Sequence, residues 1–297
     1  MSAGAKLPGA IAPMHFWRGS GGNTIAGDSW GDPAGPMVIL QHGGGQTRHA
    51  WKGAGERLGA AGYFAIALDA RGHGNSEWAS DGRYDQDAMI GDLKCVIAAL
   101  GGVKPALVGA SLGGVNSLVA VGEGMIDASA LVLVDIAARI EREGAERVLA
   151  FMTQKPDGFE SLEEAADAIA SYQPHRKRPR DMKGLVKNLR LAPSGKFRWH
   201  WDPLYSRSFC ELEQRQRRYE GAARSLKVPT LVVRGGTSDV LSEEGVLHFQ
   251  QLCRHAEVIT IAGAGHMIAG DRNDIFVDAV VGFLRRQVLP RLGSKQK

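Results

Sequence analysis

Residues 106–114 read ALVGASLGG, and this stretch decides the fold. Three apolar residues lead into the pattern G-x-S-x-G around Ser111, and residues 114–120 (GVNSLVA) continue as a helix-like segment. Small residues on both sides of such a serine allow a sharp, strained turn from a buried strand into a helix, and this turn exposes the hydroxyl. The stretch therefore predicts a strand, a turn at Ser111 and a helix beginning at Leu112, whose free N–H groups favour negative charge.

A second match to the same pattern, residues 27–31 (GDSWG), lacks this context. It is followed by residues 32–36 (DPAGP), whose composition prevents a helix from starting there. We therefore interpret Ser29 as a turn residue and Ser111 as the candidate nucleophile.

Short apolar runs alternate with helix-like segments along much of the chain. The predicted strands are residues 37–41, 63–69, 106–109, 130–136, 230–234 and 257–261. The predicted helices are residues 50–61, 86–100, 112–123, 242–253 and 274–289. Because the strands are nearly continuous in apolar character, they are typical of parallel strands covered on both faces. The pattern predicts an α/β fold with a doubly wound, mostly parallel sheet, an antiparallel hairpin from residues 14–30 at one edge, and ligands at the carboxyl ends of the strands.

The alternation stops between residues 138 and 227. This segment is rich in helical character and has no recognisable strand, and about ninety such residues inside an α/β pattern indicate an insertion over the strand ends. We predict a core of residues 1–137 and 228–297 and a helical cap of residues 138–227. The basic run 176–180 (RKRPR) is interpreted as solvated cap surface, with attraction of carboxylate-bearing substrates as the alternative.

Composition and charge narrow the class of protein. The 297 residues are 44% hydrophobic and 23% charged, with a formal net charge of +4, which is typical of a soluble chain with one large core. This mild excess of positive charge does not indicate a nucleic-acid partner, and no apolar run approaches the roughly 20 residues that cross a membrane. With no secretory signal and three widely spaced cysteines, we expect a cytoplasmic monomer or homodimer without disulfides or metal.

A serine nucleophile requires a histidine base and a carboxylate that orients it. Among nine histidines, His266 follows a predicted strand in a loop of small residues, at the carboxyl edge of the sheet. The preceding strand in the chain ends in residues 235–239 (GGTSD), and the order serine, acid, histidine predicts Asp239 as the acid. Asp135, at the end of another strand, is the alternative acid.

A third requirement is a pair of N–H groups that stabilise a developing oxyanion. Residues 42–46 (HGGGQ) follow the strand at residues 37–41, and their glycines allow backbone N–H groups to face a substrate oxygen. We predict the N–H groups of Gly44 and Leu112 as the two donors. His42 is interpreted as a packing residue of this turn.

Together, these segments resemble the α/β-hydrolase superfamily over nearly the whole chain. The motifs that carry the resemblance are HGGG at 42–45, DARGHGNS at 69–76, GASLG at 109–113, GGTSD at 235–239 and GH at 265–266. The second motif is similar to the D-x-R-G-x-G-x-S turn of the branch that holds carboxylesterases, carbon–carbon bond hydrolases, epoxide hydrolases, haloalkane dehalogenases and cofactor-free haloperoxidases. Epoxide hydrolases and dehalogenases use an aspartate at the elbow, so Ser111 argues against both. The resemblance implies a cap between the sixth and seventh core strands.

These residues predict a serine hydrolase that cleaves small-molecule carboxylic esters through an acyl-enzyme and needs no cofactor. Its expected substrates include aliphatic polyesters or lactones. The expected substrate contacts are Arg48, Trp51, Trp199 and Trp201; Gln46, His49 and His200 are expected nearby. Aromatic side chains in a cap suit an apolar substrate group, although a tryptophan pair also forms small cores. Two alternatives stay open: a carbon–carbon bond hydrolase of aromatic ring-cleavage products, and a ligand-sensing receptor with this fold.

Overall fold

A computed structural model describes residues 4–173, 182–209, 212–268 and 273–288 of the chain. The strands are β1 (Ala5–Lys6), β2 (His15–Arg18), β3 (Thr24–Trp30), β4 (Met37–Gln41), β5 (Phe64–Leu68), β6 (Ala106–Ala110), β7 (Ala130–Val134), β8 (Leu189–Leu191), β9 (Phe197–Trp199), β10 (Thr230–Gly235) and β11 (Glu257–Ile261). The α-helices are α1 (Lys52–Ala60), α2 (Gln86–Ala99), α3 (Leu112–Gly122), α4 (Arg142–Thr153), α5 (Leu162–Tyr172), α6 (Leu212–Ser225), α7 (Glu243–Leu252) and α8 (Asn273–Gln287). Shorter 3₁₀ helices span Arg48–Trp51, Met182–Asn188 and Pro203–Phe209.

The main sheet has eight strands in the order β11-β10-β7-β6-β4-β5-β3-β2. Its central pairs are parallel, and the pairs β3·β5 and β2·β3 are antiparallel. The predicted α/β class and the predicted edge hairpin are therefore confirmed. All functional loops that follow parallel strands consequently meet at one edge of this sheet.

Helices cover the sheet on both faces, and alternate side chains of each strand point to opposite faces and enter different apolar clusters. Leu107 belongs to the apolar cluster that contains Leu118 of α3. Its neighbour Val108 belongs to the cluster on the other face, with Leu58 of α1 and Phe283 of α8. This two-sided burial explains why the strands are continuous apolar runs in the sequence.

The prediction that Ser29 lies in a turn was wrong. Ser29 lies inside β3, and its hydroxyl is 2.7 Å from Nε2 of His15 on the neighbouring strand. Residues 32–36 prevent a helix there, as predicted from their composition, but the strand continues to Trp30 before them. Gly27 is a strand residue that makes room for an aromatic ring, since a Cβ there would lie 2.6 Å from Trp17.

The insertion lies between β7 and β10, the sixth and seventh strands of the main sheet in chain order. The expectation that it contains no strand was wrong, because β8 and β9 pair with each other and β8 pairs with β1 to form a small second sheet. Strands of two or three residues are too short to produce a periodic pattern in the sequence.

The last helix of the insertion, α6, packs against α3 of the core. Tyr219, Ala222 and Ala223 belong to the same apolar cluster as Leu118 of α3. The division into a core and a cap at residues 138 and 227 stays a prediction, and this packing favours assigning α6 to the core.

The predictions on membrane spans and on cysteines have separate outcomes. No helix within the described ranges is both long and apolar enough for a membrane span. Cys95 and Cys253 are free thiols, whereas Cys210 and the basic run 176–180 lie outside the described residues.

Candidate active site

Ser111 lies at the turn between β6 and α3 in a backbone conformation that is rare for residues with a side chain, with φ 45° and ψ −110°. Gly109 and Gly113 make this turn possible: a Cβ on Gly109 would lie 2.4 Å from the backbone of Gly113, and a Cβ on Gly113 would lie 2.5 Å from Gln41. The Ser111 N–H donates to the carbonyl of Val134, at 3.3 Å. Strain of this kind persists only where the surrounding structure enforces it, and it concentrates at functional sites.

His266 lies in the loop after β11 and forms a hydrogen bond through Nδ1 with Oδ2 of Asp135, at 2.7 Å. Asp135 immediately follows β7 and is fully buried, with φ 50°. The strands β7, β10 and β11 are neighbours in the sheet and run parallel, so the residues that follow β7 and β11 lie at the same edge of the sheet. An imidazole that donates from Nδ1 to a carboxylate leaves Nε2 free to accept a proton from a serine.

The prediction that Asp239 is the partner of His266 was wrong. The Asp239 carboxylate forms an ion pair with Arg147 of α4, at 2.6 Å, and its side chain is 35% exposed. The structure instead brings the alternative acid, Asp135, to His266. The two candidates follow adjacent parallel strands, so both reach the same edge of the sheet and the local turn decides which one faces the histidine.

The loop of Asp239 still contributes to this site through residues that the sequence analysis missed. Oδ1 of Asp135 accepts the N–H of Gly235 at 2.7 Å, and Oδ2 also accepts the hydroxyl of Ser238. Ser238 Oγ in turn accepts the N–H groups of Val240 and Leu241, at 3.1 and 3.3 Å. These bonds compensate the burial of the carboxylate and turn Asp239 away from it. A serine directly before the candidate acid was the signal available in the sequence.

The glycine turn after β4 lies against the turn that holds Ser111. A Cβ on Gly43 would lie 3.3 Å from Cβ of Ser111, and the N–H of Gly113 donates to the carbonyl of His42 at 3.2 Å. Gly44 and Leu112, the two predicted oxyanion donors, both line a cavity with Ser111. The structure thus brings all three residues to one place.

The ring of His42 holds this glycine turn against the loop after β5. Its Nε2 accepts the N–H of Ala70 at 3.0 Å, so the proton lies on Nδ1, which donates to the carbonyl of Gly43 at 2.8 Å. Burial lowers the pKa of His42, which keeps the ring neutral in this arrangement. His42 therefore positions the turn.

Two cavities meet at Ser111 and Gly44. The first, here called the apolar cavity, has a volume of about 330 Å³ and is lined mainly by aliphatic side chains, among them Val115, Ile136, Ile140, Leu149 and Val240. Its lining also includes charged residues of both signs: Arg142, Glu146 and Arg215. The second, here called the tryptophan cavity, has a volume of about 350 Å³ and is lined by His266 and by aromatic side chains, among them Trp51, Phe151, Tyr172, Trp199 and Trp201. Ser111 thus has access to two chemically different spaces.

Three of the four predicted substrate contacts line the tryptophan cavity: Trp51, Trp199 and Trp201. The rings of Trp199 and Trp201 stack with centroids 5.0 Å apart and also belong to the apolar cluster of the insertion, with Phe159. The pair therefore forms a small core and one wall of the cavity at the same time. Gln46 also lines this cavity.

The prediction that Arg48, the fourth residue, contacts substrate was wrong. Its side chain is fully buried away from both cavities and forms ion pairs with Asp28 at 2.8 Å and Asp69 at 2.7 Å. Arg48 and Trp51 lie at the two ends of one 3₁₀ helix, and the two carboxylates hold Arg48 against β3 and the end of β5. His200 is likewise buried, with Nδ1 accepting an N–H from the loop after β5.

Comparison with known proteins identifies the family to which this fold belongs. A family model described as alpha/beta hydrolase fold matches residues 36–272, which is most of the chain. The chain belongs to the α/β-hydrolase fold family.

Relatives within this family cover nearly the whole chain. Esterase Rv0045c of Mycobacterium tuberculosis is 27% identical over 292 residues, which is 96% of this chain and 94% of that protein. The 3-hydroxybutyrate-oligomer hydrolase of Cupriavidus necator is 26% identical over 260 residues, 83% of this chain and 88% of that protein. The crystal structure of E-2-(acetamidomethylene)succinate hydrolase matches with a TM-score of 0.77 at 23% identity, over 91% of this chain and 100% of that one, and supports the fold.

Proposed function

We propose that this α/β-hydrolase is a serine carboxylesterase that uses Ser111 as nucleophile, His266 as base and Asp135 as the acid that orients the base. One observation carries the proposal: the imidazole that is hydrogen-bonded to the buried Asp135 carboxylate lines the same cavity as the strained Ser111. Acyl transfer by a serine requires a base that takes the proton of the nucleophile and an acid that orients the base.

In the proposed reaction, Oγ of Ser111 attacks the ester carbonyl carbon and forms a C–O bond while Nε2 of His266 takes the hydroxyl proton. The carbonyl electron pair moves to oxygen, which the N–H groups of Gly44 and Leu112 would stabilise. Collapse of this intermediate breaks the bond to the alcohol, which leaves with the proton from His266. A water then repeats the sequence on the acyl-enzyme, releasing the acid and restoring Ser111.

The cavities support an ester with a sizeable apolar group. The apolar cavity, at about 330 Å³, has about twice the volume of an engineered apolar cavity that binds benzene. The relatives support esters as the substrate class, since one is an esterase and another a hydrolase of 3-hydroxybutyrate oligomers. Activity on aliphatic polyesters or lactones is included in the proposal on the same grounds.

The test compares two serines that lie in the same sequence pattern. With p-nitrophenyl butanoate as substrate, Ser111→Ala is expected to lower kcat by about 10⁴-fold or more. Ser29→Ala is the matched control and is expected to keep kcat within about twofold of the unmodified protein. Equal activity of the Ser111→Ala variant would contradict the proposal.

The two alternative functions predict different outcomes in the same assay. A carbon–carbon bond hydrolase would leave simple esters intact and turn over a vinylogous diketone from ring cleavage. A receptor would bind ligand with negligible turnover of every ester. The cytoplasmic location and the monomeric or homodimeric state stay predictions from the sequence.

A further inference from the structure

The two cavities differ in whether His266, the proposed base, lines them. This difference indicates which cavity holds the acyl group of an ester and which holds the alcohol. Of the two, the tryptophan cavity is the one that His266 lines. In ester cleavage, the histidine must give its proton to the oxygen of the departing alcohol, so that oxygen lies next to the imidazole. On the proposed function, the alcohol therefore occupies the tryptophan cavity and the acyl group occupies the apolar cavity.

Three residues that line the tryptophan cavity carry buried polar atoms without a hydrogen-bond partner among the described residues. Nε1 of Trp51, Nε1 of Trp199 and Oε1 of Gln173 have no hydrogen-bond partner within the part of the chain that the structure describes. All three side chains belong to residues that are more than nine-tenths buried and that line this cavity. By contrast, Nε1 of Trp201 donates to the carbonyl of Met152. Because an unpaired buried polar group is costly, these groups favour an occupant that is itself polar.

Lys187 adds a positive charge to the lining of the same cavity. Among the described residues, no carboxylate lies within ion-pair distance of its ammonium group. Burial lowers the pKa of Lys187, and the positive charge of Lys52 lowers it further. A partly buried cation without an anionic partner is stabilised by an anion that enters the cavity.

His49 lines the cavity as well and stays neutral. Burial and the positive charge of Arg48 lower the pKa of His49 to about 4, with a smaller contribution from Lys187. The ring therefore adds hydrogen-bonding capacity near neutral pH without adding charge. Among the described residues that line this cavity, Lys187 is then the cation available to a ligand.

We infer that the tryptophan cavity binds an alcohol that carries a carboxylate, with Lys187 as the residue that pairs with it. The preferred substrates are then O-acyl hydroxy acids: an apolar acyl group in the apolar cavity, ester-linked to a short hydroxy acid. One ammonium matches the single charge of a carboxylate, whereas a phosphate dianion calls for more positive charge. The inference rests on the proposed function and names the substrate class of that site.

The test uses two esters of nearly the same size and shape, one anionic and one neutral: 3-(hexanoyloxy)propanoate and its amide, 3-(hexanoyloxy)propanamide. Release of hexanoate is measured for each, and the ratio of the two kcat/KM values reports the preference for the anion. The unmodified protein is expected to prefer the anion by about tenfold, and Lys187→Met is expected to bring the ratio to about one. A general loss of activity or stability would leave this ratio unchanged. Lys187→Arg is expected to retain most of the preference.

Lys52→Met is the matched control, because Lys52 is a nearby exposed lysine that pairs with Glu56. It is expected to keep the activity and the tenfold preference. Loss of the preference in this variant, or its persistence in Lys187→Met, would overturn the assignment of Lys187. Hydrolysis of p-nitrophenyl hexanoate without any preference between the two test esters would overturn the substrate class and leave the esterase proposal intact. Absence of hydrolysis with every ester would overturn the esterase proposal itself.

Discussion

At the scale of single residues, the Asp135 carboxylate organises the proposed site. It is fully buried and accepts hydrogen bonds from the backbone of Gly235, the hydroxyl of Ser238 and the ring of His266. These three donors satisfy the buried carboxylate, and the carboxylate in turn holds the imidazole in one tautomer. Asp239, four residues after Gly235, is partly exposed and pairs with Arg147 instead.

This contrast gives a direct prediction for the two aspartates. Asp135→Asn is expected to lower kcat on p-nitrophenyl butanoate by about 10⁴-fold at pH 7, because an amide no longer holds His266 in the tautomer that accepts the serine proton. Asp239→Asn removes an ion pair at the surface and is expected to keep kcat within about twofold. A larger loss in Asp239→Asn than in Asp135→Asn would restore the acid predicted from the sequence.

At the scale of elements, the contact between α3 and α6 connects the inserted segment to the helix that begins after Ser111. The two helices approach closely at Gly122, where a Cβ would lie 2.3 Å from the backbone oxygen of Ala222. By contrast, Gly221 is exposed in α6 and has open space around the position of a Cβ. The glycine at the contact between α3 and α6 and the glycine on the exposed side of α6 therefore have opposite tolerance for a side chain.

Alanine substitutions at these two glycines test that contact. Gly122→Ala is expected to destabilise the protein by about 2 kcal/mol, because the backbone of one helix must move away from the other. Gly221→Ala is expected to stabilise it by about 0.5 to 1 kcal/mol, because glycine within a helix has a higher entropy cost than alanine. Urea unfolding monitored by circular dichroism measures both changes. Equal stability of the Gly122→Ala variant would show that α6 does not pack on α3 as described.

At the scale of the whole molecule, a buried cluster of histidine rings joins the inserted segment to the loops of the main sheet. The ring centroid of His73 lies 5.3 Å from that of His42, 5.9 Å from that of His200 and 4.8 Å from that of Tyr205. Burial lowers the pKa of His73 to about 3, and it also lowers the pKa values of His42 and His200. The cluster therefore requires neutral rings in the folded protein.

Acid is expected to weaken this connection. The folded pKa of His73 lies below its ordinary value of 6.5, so below about pH 6.5 the unfolded chain binds more protons than the folded one and stability falls as the pH falls. The loss is about 1.4 kcal/mol per pH unit for each histidine that stays neutral when folded.

Urea unfolding between pH 7 and pH 4 tests this expectation with two variants. The stability advantage of the unmodified protein over His73→Gln is expected to shrink by about 1.4 kcal/mol per pH unit below about pH 6.5. His255→Gln, which replaces an exposed ring, is the control and is expected to follow the unmodified protein. A constant difference between His73→Gln and the unmodified protein across this range would refute the expectation.

Much of the fold follows from patterns within a few residues. Residues 106–122 form a strand, a strained turn and a helix. They do so because an apolar run, a group of small residues and a helix-forming segment follow one another directly in the chain. The same local character explains the agreement for β4 and β11, whose bounds match the predicted runs. The strands β8 and β9 escaped prediction, because each has only three residues and β8 also pairs with β1, far away in the chain.

Local sequence patterns were sufficient to predict the sheet, the position of Ser111 at a strand-to-helix turn, and the placement of His266 in a loop at the carboxyl edge. Only the tertiary structure decided which acid meets that histidine, since Asp135 and Asp239 both follow parallel strands that end there. It also decided that Arg48 is buried between two carboxylates. Both outcomes depend on hydrogen-bond and ion-pair partners that are distant in the chain, and a pattern of neighbouring residues carries no information about them.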